Sequence, residues 1–170
     1  YAAIAAIFTE MAQLHDKEVF EAIHAGDLTF EQRREALRAI SVIKEKRCGK
    51  LKGRTCADGR PQRAFYTKED TASPTITHDG LLLMMMVAAH EGRDVATCDV
   101  PGAYLHADMP DFVIMKFEGH VVDVLIQIDK NYENFVVIEN GKRVLYVRLL
   151  KALYGCVKAA LLWYELFSTT

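Results

Sequence analysis

A single carboxylate, Asp99, ends a short strand-forming run in the stretch VATCDVPGAYLHA at residues 95–107. Metal-dependent phosphoryl transfer needs carboxylates that are held rigidly, and an acid at the end of a strand can supply one such ligand for Mg²⁺. One carboxylate cannot make the site alone. Asp, Pro and Gly are also favoured in turns, so Asp99 is also consistent with a residue that caps a turn at Pro101 and Gly102.

A basic cluster between Val42 and Arg63 is the second feature that could do chemistry. Its basic residues are Lys44, Lys46, Arg47, Lys50, Lys52, Arg54, Arg60 and Arg63, opposed by Glu45 and Asp58. Such side chains neutralise phosphate charge, but they also protect exposed strand edges in proteins that bind no phosphate. The formal net charge of the chain is −2, so its overall composition is not that of a basic nucleic-acid binder.

The composition is that of one globular domain or of part of a larger one. The chain has 170 residues, of which 51% are hydrophobic and 26% are charged. Cys48, Cys56, Cys98 and Cys156 form no CxxC pair, which argues against a zinc site or disulfide framework and fits a reducing intracellular compartment, cytoplasmic or nuclear. The longest apolar run, residues 81–89, is too short to span a bilayer, so we expect no membrane segment. The start has no basic signal-peptide region and both ends look cut, so we expect a fragment.

Apolar residues at helical spacing predict five helices. These are residues 4–14, Thr29 to about Ile40, Asp79 to about Glu91, the run VVDVLIQI at 121–128, and the segment from Lys158 onwards. Thr29 and Gln32 fit a capping box, and Gly92 fits a helix stop. The run at 121–128 is ambiguous between helix and strand, and helix is our preferred interpretation. The helix around Met84 is apolar on nearly every side, so we expect it to be buried in the core.

Runs rich in β-branched and aromatic residues predict strands at residues 41–46, 50–56, 94–100, 112–117 and 135–148. The first two should form a hairpin around Cys48-Gly49 that carries most of the basic cluster. In the last, Asn140-Gly141 favours a type I′ hairpin turn. Helices packed on one side of a mainly antiparallel sheet give an α+β class.

Three motifs in this order resemble the polymerase domain of copia-type (LTR) retrotransposon reverse transcriptases. The stretch CDVPGAYLHADMPDFVIMKFEG at 98–119 is similar to that family's pattern of Asp-Val, two variable residues, Ala, an aromatic and Leu. Upstream, KGRTCADG at 52–59 resembles the fingers motif K-x-R-x-x-A-x-G. Downstream, RLLKALYGCVKAALLWYE at 148–165 resembles KLKKALYGLKQAPRAWYE. The resemblance covers about residues 36–166.

The resemblance implies a partial right-hand polymerase over residues 1–170. Residues 36–98 would form the fingers and the entry to the palm, and residues 99–170 part of the palm. The implied activity is that of an RNA-directed DNA polymerase, a nucleotidyltransferase that uses two Mg²⁺ ions in its complete site. The implied partners are an RNA or DNA template-primer, deoxynucleoside triphosphates and the remainder of the polymerase polyprotein.

The same resemblance implies roles for the residues of the central motif. Asp99 is similar to the catalytic, metal-binding aspartate, and Val100 would add a backbone carbonyl ligand. Gly102 and Ala103 would present backbone N–H groups to the incoming triphosphate. Tyr104 would exclude a 2′-hydroxyl and so select deoxynucleotides. Without the resemblance, Tyr104 is an ordinary core aromatic residue.

Roles in nucleotide binding are also implied for three basic residues. Lys52 and Arg54 are similar to the fingers residues that hold the triphosphate, although they would otherwise be basic residues on a solvated strand edge. Lys158 stands where the family has the Gln that seats the nucleotide, and it lacks the paired donor and acceptor of an amide. Ala160 and Leu161 replace the family's Pro and Arg, which weakens the expected contact with nucleic acid.

The sequence also departs from the family in its acids. These polymerases complete the metal site with an Asp-Asp pair on a downstream hairpin, and no Asp-Asp pair occurs in this chain. No segment resembles a thumb or an RNase H domain. We therefore expect the isolated chain to be inactive as a polymerase. The competing interpretation is a non-enzymatic relic or co-opted domain that binds nucleic acid through its basic hairpin. A third interpretation, a small α+β protein with no nucleic-acid role, fits the net charge. It leaves unexplained why the three motifs occur together in the order found in the family.

Overall fold

A computed structural model describes residues 2–67, 69 and 71–169. In this part of the chain the α-helices are α1 (Ala2–Asp16), α2 (Phe30–Glu35), α3 (His78–His90), α4 (His120–Ile128) and α5 (Ala159–Thr169). The strands are β1 (Phe20–Ile23), β2 (Leu37–Glu45), β3 (Leu51–Ala57), β4 (Ile114–Glu118), β5 (Val136–Glu139) and β6 (Lys142–Leu149).

The six strands form one mixed sheet in the order β1-β6-β4-β2-β3. On the side of β6 away from β4, β1 pairs with residues 146–149 and β5 pairs with residues 142–145. The β2–β4 pair is parallel, with Leu37 opposite Met115, and the remaining pairs are antiparallel. The predicted α+β class, with helices and a mainly antiparallel sheet, is therefore confirmed. No helix in the described residues is both long enough and apolar enough to cross a bilayer.

The hydrophobic core lies between this sheet and the helices α1 and α4. Met11 and Leu14 of α1 and Leu125 of α4 meet Phe117 of β4 and Leu145 of β6, and each of these side chains is almost fully buried. From Met115 to Glu118 of β4 the buried residues alternate with less buried ones, as expected where one face of a strand lies on this core, and Ile114 is buried in a second cluster with Val144 and Tyr146. The core thereby fixes the position of α1, which also reaches the candidate site.

Local sequence signals are confirmed where short-range geometry decides the structure. Thr29 and Gln32 form the predicted capping box, because the Thr29 N–H donates to Gln32 Oε1 at 2.8 Å and the Gln32 N–H donates to Thr29 Oγ1 at 3.2 Å. Asn140 and Gly141 have φ values of 50° and 74°, as a type I′ turn requires. The ambiguous run at 121–128 lies in α4, so the preferred helical interpretation is also confirmed.

The helix predicted from Thr29 to about Ile40 is too long, because α2 ends at Glu35. From Leu37 the chain instead forms β2, whose first residues pair in parallel with β4. Leu37 is buried there, and the β-branched residues that follow it favour a strand. Tertiary pairing therefore overrides the helical spacing.

Two predictions for residues 78–100 are wrong. The bounds of α3 agree with the expected helix, but α3 contains no buried residue, and Leu83 and Met86 are 63% and 69% exposed. Residues 94–100 form no strand, because no neighbouring strand among the described residues pairs with them. Both predictions were made from local hydrophobic patterns. Such a pattern indicates that a segment is suited to burial, but it does not show that another part of the protein packs against that segment.

Two of the sequence motifs meet through backbone atoms at the edge of the sheet. The Ala57 N–H donates to the Tyr154 carbonyl oxygen at 2.7 Å. Gly155 has a φ of +92°, and a Cβ there would overlap the Ala57 carbonyl oxygen. A Cβ at Gly59 would in turn overlap the Gly155 carbonyl oxygen. Glycine at these positions lets the segments 57–59 and 154–155 approach closely.

We expect Gly155→Ala to lower the free energy of unfolding by about 3 kcal/mol, because positive φ and steric overlap both oppose the added methyl group. Gly26→Ala is the matched control, since a Cβ at Gly26 meets no atom within 4 Å. The control should change the same free energy by less than about 1 kcal/mol. Urea denaturation of both variants tests this, and equal effects would contradict the close backbone approach.

Candidate functional site

Residues from distant parts of the sequence border one pocket of about 280 Å³. Among the predicted site residues these are Lys52, Arg54, Asp99, Val100 and Gly102. The two basic residues come from β3, and the other three come from the turn that precedes a short 3₁₀ helix, Ala103–His106. The fold thus brings the basic strand to the carboxylate that the sequence singled out.

The alternation of β3 determines which of its side chains reach solvent. Lys52 and Arg54 are exposed, whereas Gly53, which lies between them, and Thr55, which follows Arg54, are buried. The helix α1 crosses β3 at Gly53, where a Cβ would lie 2.6 Å from the Ala6 carbonyl oxygen. Because Gly53 has no side chain, α1 packs directly on β3. The charged side chains of Lys52 and Arg54, on either side of Gly53, extend into solvent.

Aromatic contacts position Arg54. Its guanidinium carbon lies 4.7 Å from the centroid of the Tyr154 ring, a cation–π contact. The Tyr154 ring lies 5.0 Å from that of Tyr104, measured between centroids. Burial raises the pKa of the Tyr154 hydroxyl, and the charge of Arg54 opposes that rise. Tyr104 is half-buried and packs against the core, so it lies behind Tyr154 and does not border the pocket.

The turn at residues 100–106 presents backbone N–H groups. Gly102 has a left-handed conformation, with a φ of 64°, and its carbonyl oxygen accepts a hydrogen bond from the Leu105 N–H at 2.8 Å. The N–H groups of Gly102, Ala103 and Tyr104 donate no hydrogen bond to any residue that the structure describes. Successive N–H groups in such a turn can bind an anion.

Oxygen ligands for a divalent cation are present in the pocket, although they are few. The carboxylate of Asp99 and the carbonyl group of Val100 belong to residues that border it, and oxygen atoms of this kind fit Mg²⁺. Within residues 2–67, 69 and 71–169, no group of three or more His, Cys, Asp or Glu side chains could hold a metal ion. Other ligands would have to come from water or from a bound phosphate.

Lys158 does not border this pocket. Its Nζ lies 2.8 Å from Asp111 Oδ2 and 4.6 Å from the centroid of the Tyr66 ring. The Tyr66 hydroxyl donates to the same Asp111 oxygen at 3.0 Å. The hydrogen bond from Lys158, aided by that from Tyr66, lowers the pKa of the Asp111 carboxyl against the opposing effect of burial. The nucleotide contact that the resemblance implies for Lys158 stays a prediction.

Five residues that border the pocket were not among the predicted site residues: Glu10, Gln13, Pro101, Leu105 and Tyr154. Pro101 and Leu105 belong to the central motif itself. Tyr154 lies within the recognised KALYG stretch, so that motif could have pointed to it. Glu10 and Gln13 lie in α1, whose periodicity indicates only which residues face the core. No signal in the sequence shows that α1 crosses β3.

The Lys158–Asp111 pair leads to a prediction about acid stability. Because the pKa of Asp111 is lowered on folding, its contribution to stability is present above the unfolded pKa of about 3.9 and is lost as the pH falls through the folded value. We expect Asp111→Asn to cost about 1 kcal/mol of unfolding free energy at pH 7 and progressively less below about pH 4. Denaturation across this pH range measures it, with Asp94→Asn, an exposed acid, as control. A cost independent of pH would contradict the ion pair.

Comparison with known proteins identifies the family. The model of the family described as Reverse transcriptase (RNA-dependent DNA polymerase) matches residues 31–170. Neither the curated proteins nor the solved structures give a match. The matched region includes β3, the turn at Asp99 and the segment around Tyr154, and it spans most of the chain. The chain therefore belongs to the reverse transcriptase family.

Proposed function

We propose that the pocket between β3 and the Asp99 turn is the nucleotide site of a copia-type retrotransposon reverse transcriptase. The observation that carries this proposal is the meeting of Lys52 and Arg54 with Asp99 and Val100 around one pocket. Basic side chains and oxygen ligands of this kind are the groups that bind a triphosphate and its Mg²⁺ ion. In this proposal residues 36–98 belong to the fingers and the entry to the palm, and residues 99–170 to part of the palm.

The residues of the pocket have complementary tasks in this proposal. Lys52 and Arg54 neutralise the phosphate charge, and the cation–π contact with Tyr154 holds the Arg54 guanidinium ready for it. The N–H groups of Gly102 and Ala103 bind phosphate oxygens. Asp99 and the Val100 carbonyl bind Mg²⁺, which when bound supplies the positive charge that phosphoryl transfer needs. Phosphoryl transfer depends mainly on such positioning and charge neutralisation.

Tyr104 is the proposed sugar selector. Its ring packs against Tyr154 and against the core, so it cannot easily move away from an added 2′-hydroxyl. Tyr104 does not border the pocket, so in this proposal the sugar of the bound nucleotide extends beyond the pocket to reach the ring. A template-primer and the remainder of the polymerase polyprotein are the proposed partners of the domain.

The acids present in the sequence limit the expected activity of the isolated chain. The sequence has no Asp-Asp pair, and one catalytic aspartate cannot hold two Mg²⁺ ions in the arrangement that polymerisation needs. We therefore propose that the isolated chain binds a metal-bound deoxynucleoside triphosphate without extending a primer.

Calorimetric titration of the chain with dATP and Mg²⁺ tests the nucleotide site. We expect saturable binding that weakens about tenfold in Lys52→Ala and in Arg54→Ala, because each variant removes a charged phosphate contact. Lys50→Ala is the matched control, since it removes a charge from the same hairpin outside the pocket. Binding that is unchanged in all three variants would overturn the assignment.

Primer extension on an RNA template completes this experiment. With the same protein and Mg²⁺ we expect no extended product. Robust synthesis would overturn the proposed inactivity while leaving the nucleotide site in place, so the two parts of the proposal fail separately.

A second function, nucleic-acid binding without catalysis, is favoured by a groove on the β2–β3 hairpin. This groove of about 680 Å³ is bordered by Val42, Lys44, Glu45, Lys46, Arg47, Lys52, Arg54 and Cys56. In the ladder Lys44 lies opposite Lys52, and Val42 lies opposite Arg54. Basic side chains on one strand face, with a single acid among them, match the phosphates of a single-stranded nucleic acid.

Binding through this groove should fall steeply with salt. For single-stranded RNA, we expect the double variant Lys46→Ala with Arg47→Ala to reduce the slope of log K against log salt by about 1.4. Fluorescence anisotropy at several salt concentrations measures the slope. Lys17→Ala with Arg34→Ala removes the same charge outside the hairpin and should leave the slope unchanged. Affinity that does not change with salt would exclude this function.

A further inference from the structure

We propose that Glu10 of α1 is a positioning residue for the nucleotide pocket and acts through the backbone of β3. Glu10 lies outside residues 31–170, the region that matches the family, and it borders the same pocket as Lys52 and Arg54. Its role is to accept a hydrogen bond that fixes the strand on which these two cations stand. The effect on triphosphate binding rests on the proposed function, whereas the effect on the strand does not.

The first support is the edge position of β3. It is the last strand of the sheet order, so the N–H groups on its outer side have no strand to pair with. Glu10 Oε1 accepts the Thr55 N–H at 3.0 Å, and the Tyr154 carbonyl oxygen accepts the Ala57 N–H at 2.7 Å. Thr55 is 1% exposed, so water cannot easily replace the carboxylate oxygen. Glu10 thus supplies the acceptor that a neighbouring strand would otherwise provide.

The second support is the place of this bond in the strand. The Thr55 N–H belongs to the peptide that joins Arg54 to Thr55, so holding it fixes the direction in which Arg54 leaves the backbone. Two residues earlier, Gly53 lets α1 pack on β3 near the Ala6 carbonyl group. The strand is therefore held on both sides of Arg54.

The third support is that α1 also reaches the opposite wall of the pocket. Gln13 lies one helical turn after Glu10 and borders the same pocket. Its Nε2 lies 3.5 Å from the position that a Cβ at Gly102 would occupy. The helix thus contacts the basic strand through Glu10 and the turn at Gly102 through Gln13, while Met11 and Leu14 anchor it in the core.

Variants at Glu10 distinguish the effect of its hydrogen-bond acceptor from the effect of its negative charge. Glu10→Gln keeps an acceptor oxygen at the same reach and removes the charge, whereas Glu10→Asp keeps the charge and shortens the reach. We expect Glu10→Asp and Glu10→Ala to weaken dATP–Mg²⁺ binding about fivefold to tenfold, and Glu10→Gln to stay within about twofold. Asp16→Ala, an exposed acid of the same helix, is the matched control and should bind normally.

Amide hydrogen exchange at Thr55, monitored by NMR, directly measures the hydrogen bond between the Thr55 N–H and Glu10. Exchange should be slow in the unchanged chain and in Glu10→Gln, and about tenfold or more faster in Glu10→Asp and Glu10→Ala. Equal exchange in all variants, or a loss of binding in Glu10→Gln as large as in Glu10→Asp, would overturn the inference. If the unchanged chain binds no triphosphate, the proposed function fails, and Thr55 exchange alone then decides the role of Glu10.

Discussion

The hydrogen bonds along the outer edge of β3 are the constraint on which the candidate site depends. A strand at the edge of a sheet exposes N–H groups that need acceptors, and here the Tyr154 carbonyl oxygen and the Glu10 carboxylate accept two of them. The first bond requires segments 57–59 and 154–155 to approach closely, which glycine at 59 and 155 permits. The second ties α1 to the strand. Without these bonds the strand that carries the pocket's cations would have no fixed outer edge.

The same contacts determine the electrostatics of the pocket. Lys52 and Arg54 border the pocket together with Glu10 and Asp99, and the formal charges of these four side chains sum to zero. A highly charged anion enters such a pocket most favourably with a divalent cation. The Glu10 carboxylate accepts the hydrogen bond from the strand, so its contribution to the pocket is to hold the strand in place. The cation–π contact with Tyr154 adds a third restraint on Arg54.

Hydrophobic patterning had different outcomes in different parts of the chain. It correctly located α1, α4 and the β5–β6 hairpin, whose apolar faces meet in the core. It also predicted burial for α3, where Leu83 and Met86 are exposed, and a strand at 94–100 that does not form. The predictions that failed concern long-range partners, because burial and strand pairing need a second surface that a local pattern does not contain.

The sequence by itself determined the local features and the types of chemical group in the site. The Thr29 capping box and the Asn140-Gly141 turn follow from short-range geometry, and the order and spacing of the three motifs were enough to indicate Lys52, Arg54 and Asp99. Only the tertiary structure decided that β3 and the Asp99 turn border one pocket, that Lys158 pairs with Asp111, and that α1 contributes Glu10. The physical reason is that these contacts join residues far apart in the chain and depend on how whole helices and strands pack together. The local periodicity of the sequence carries no information about such contacts.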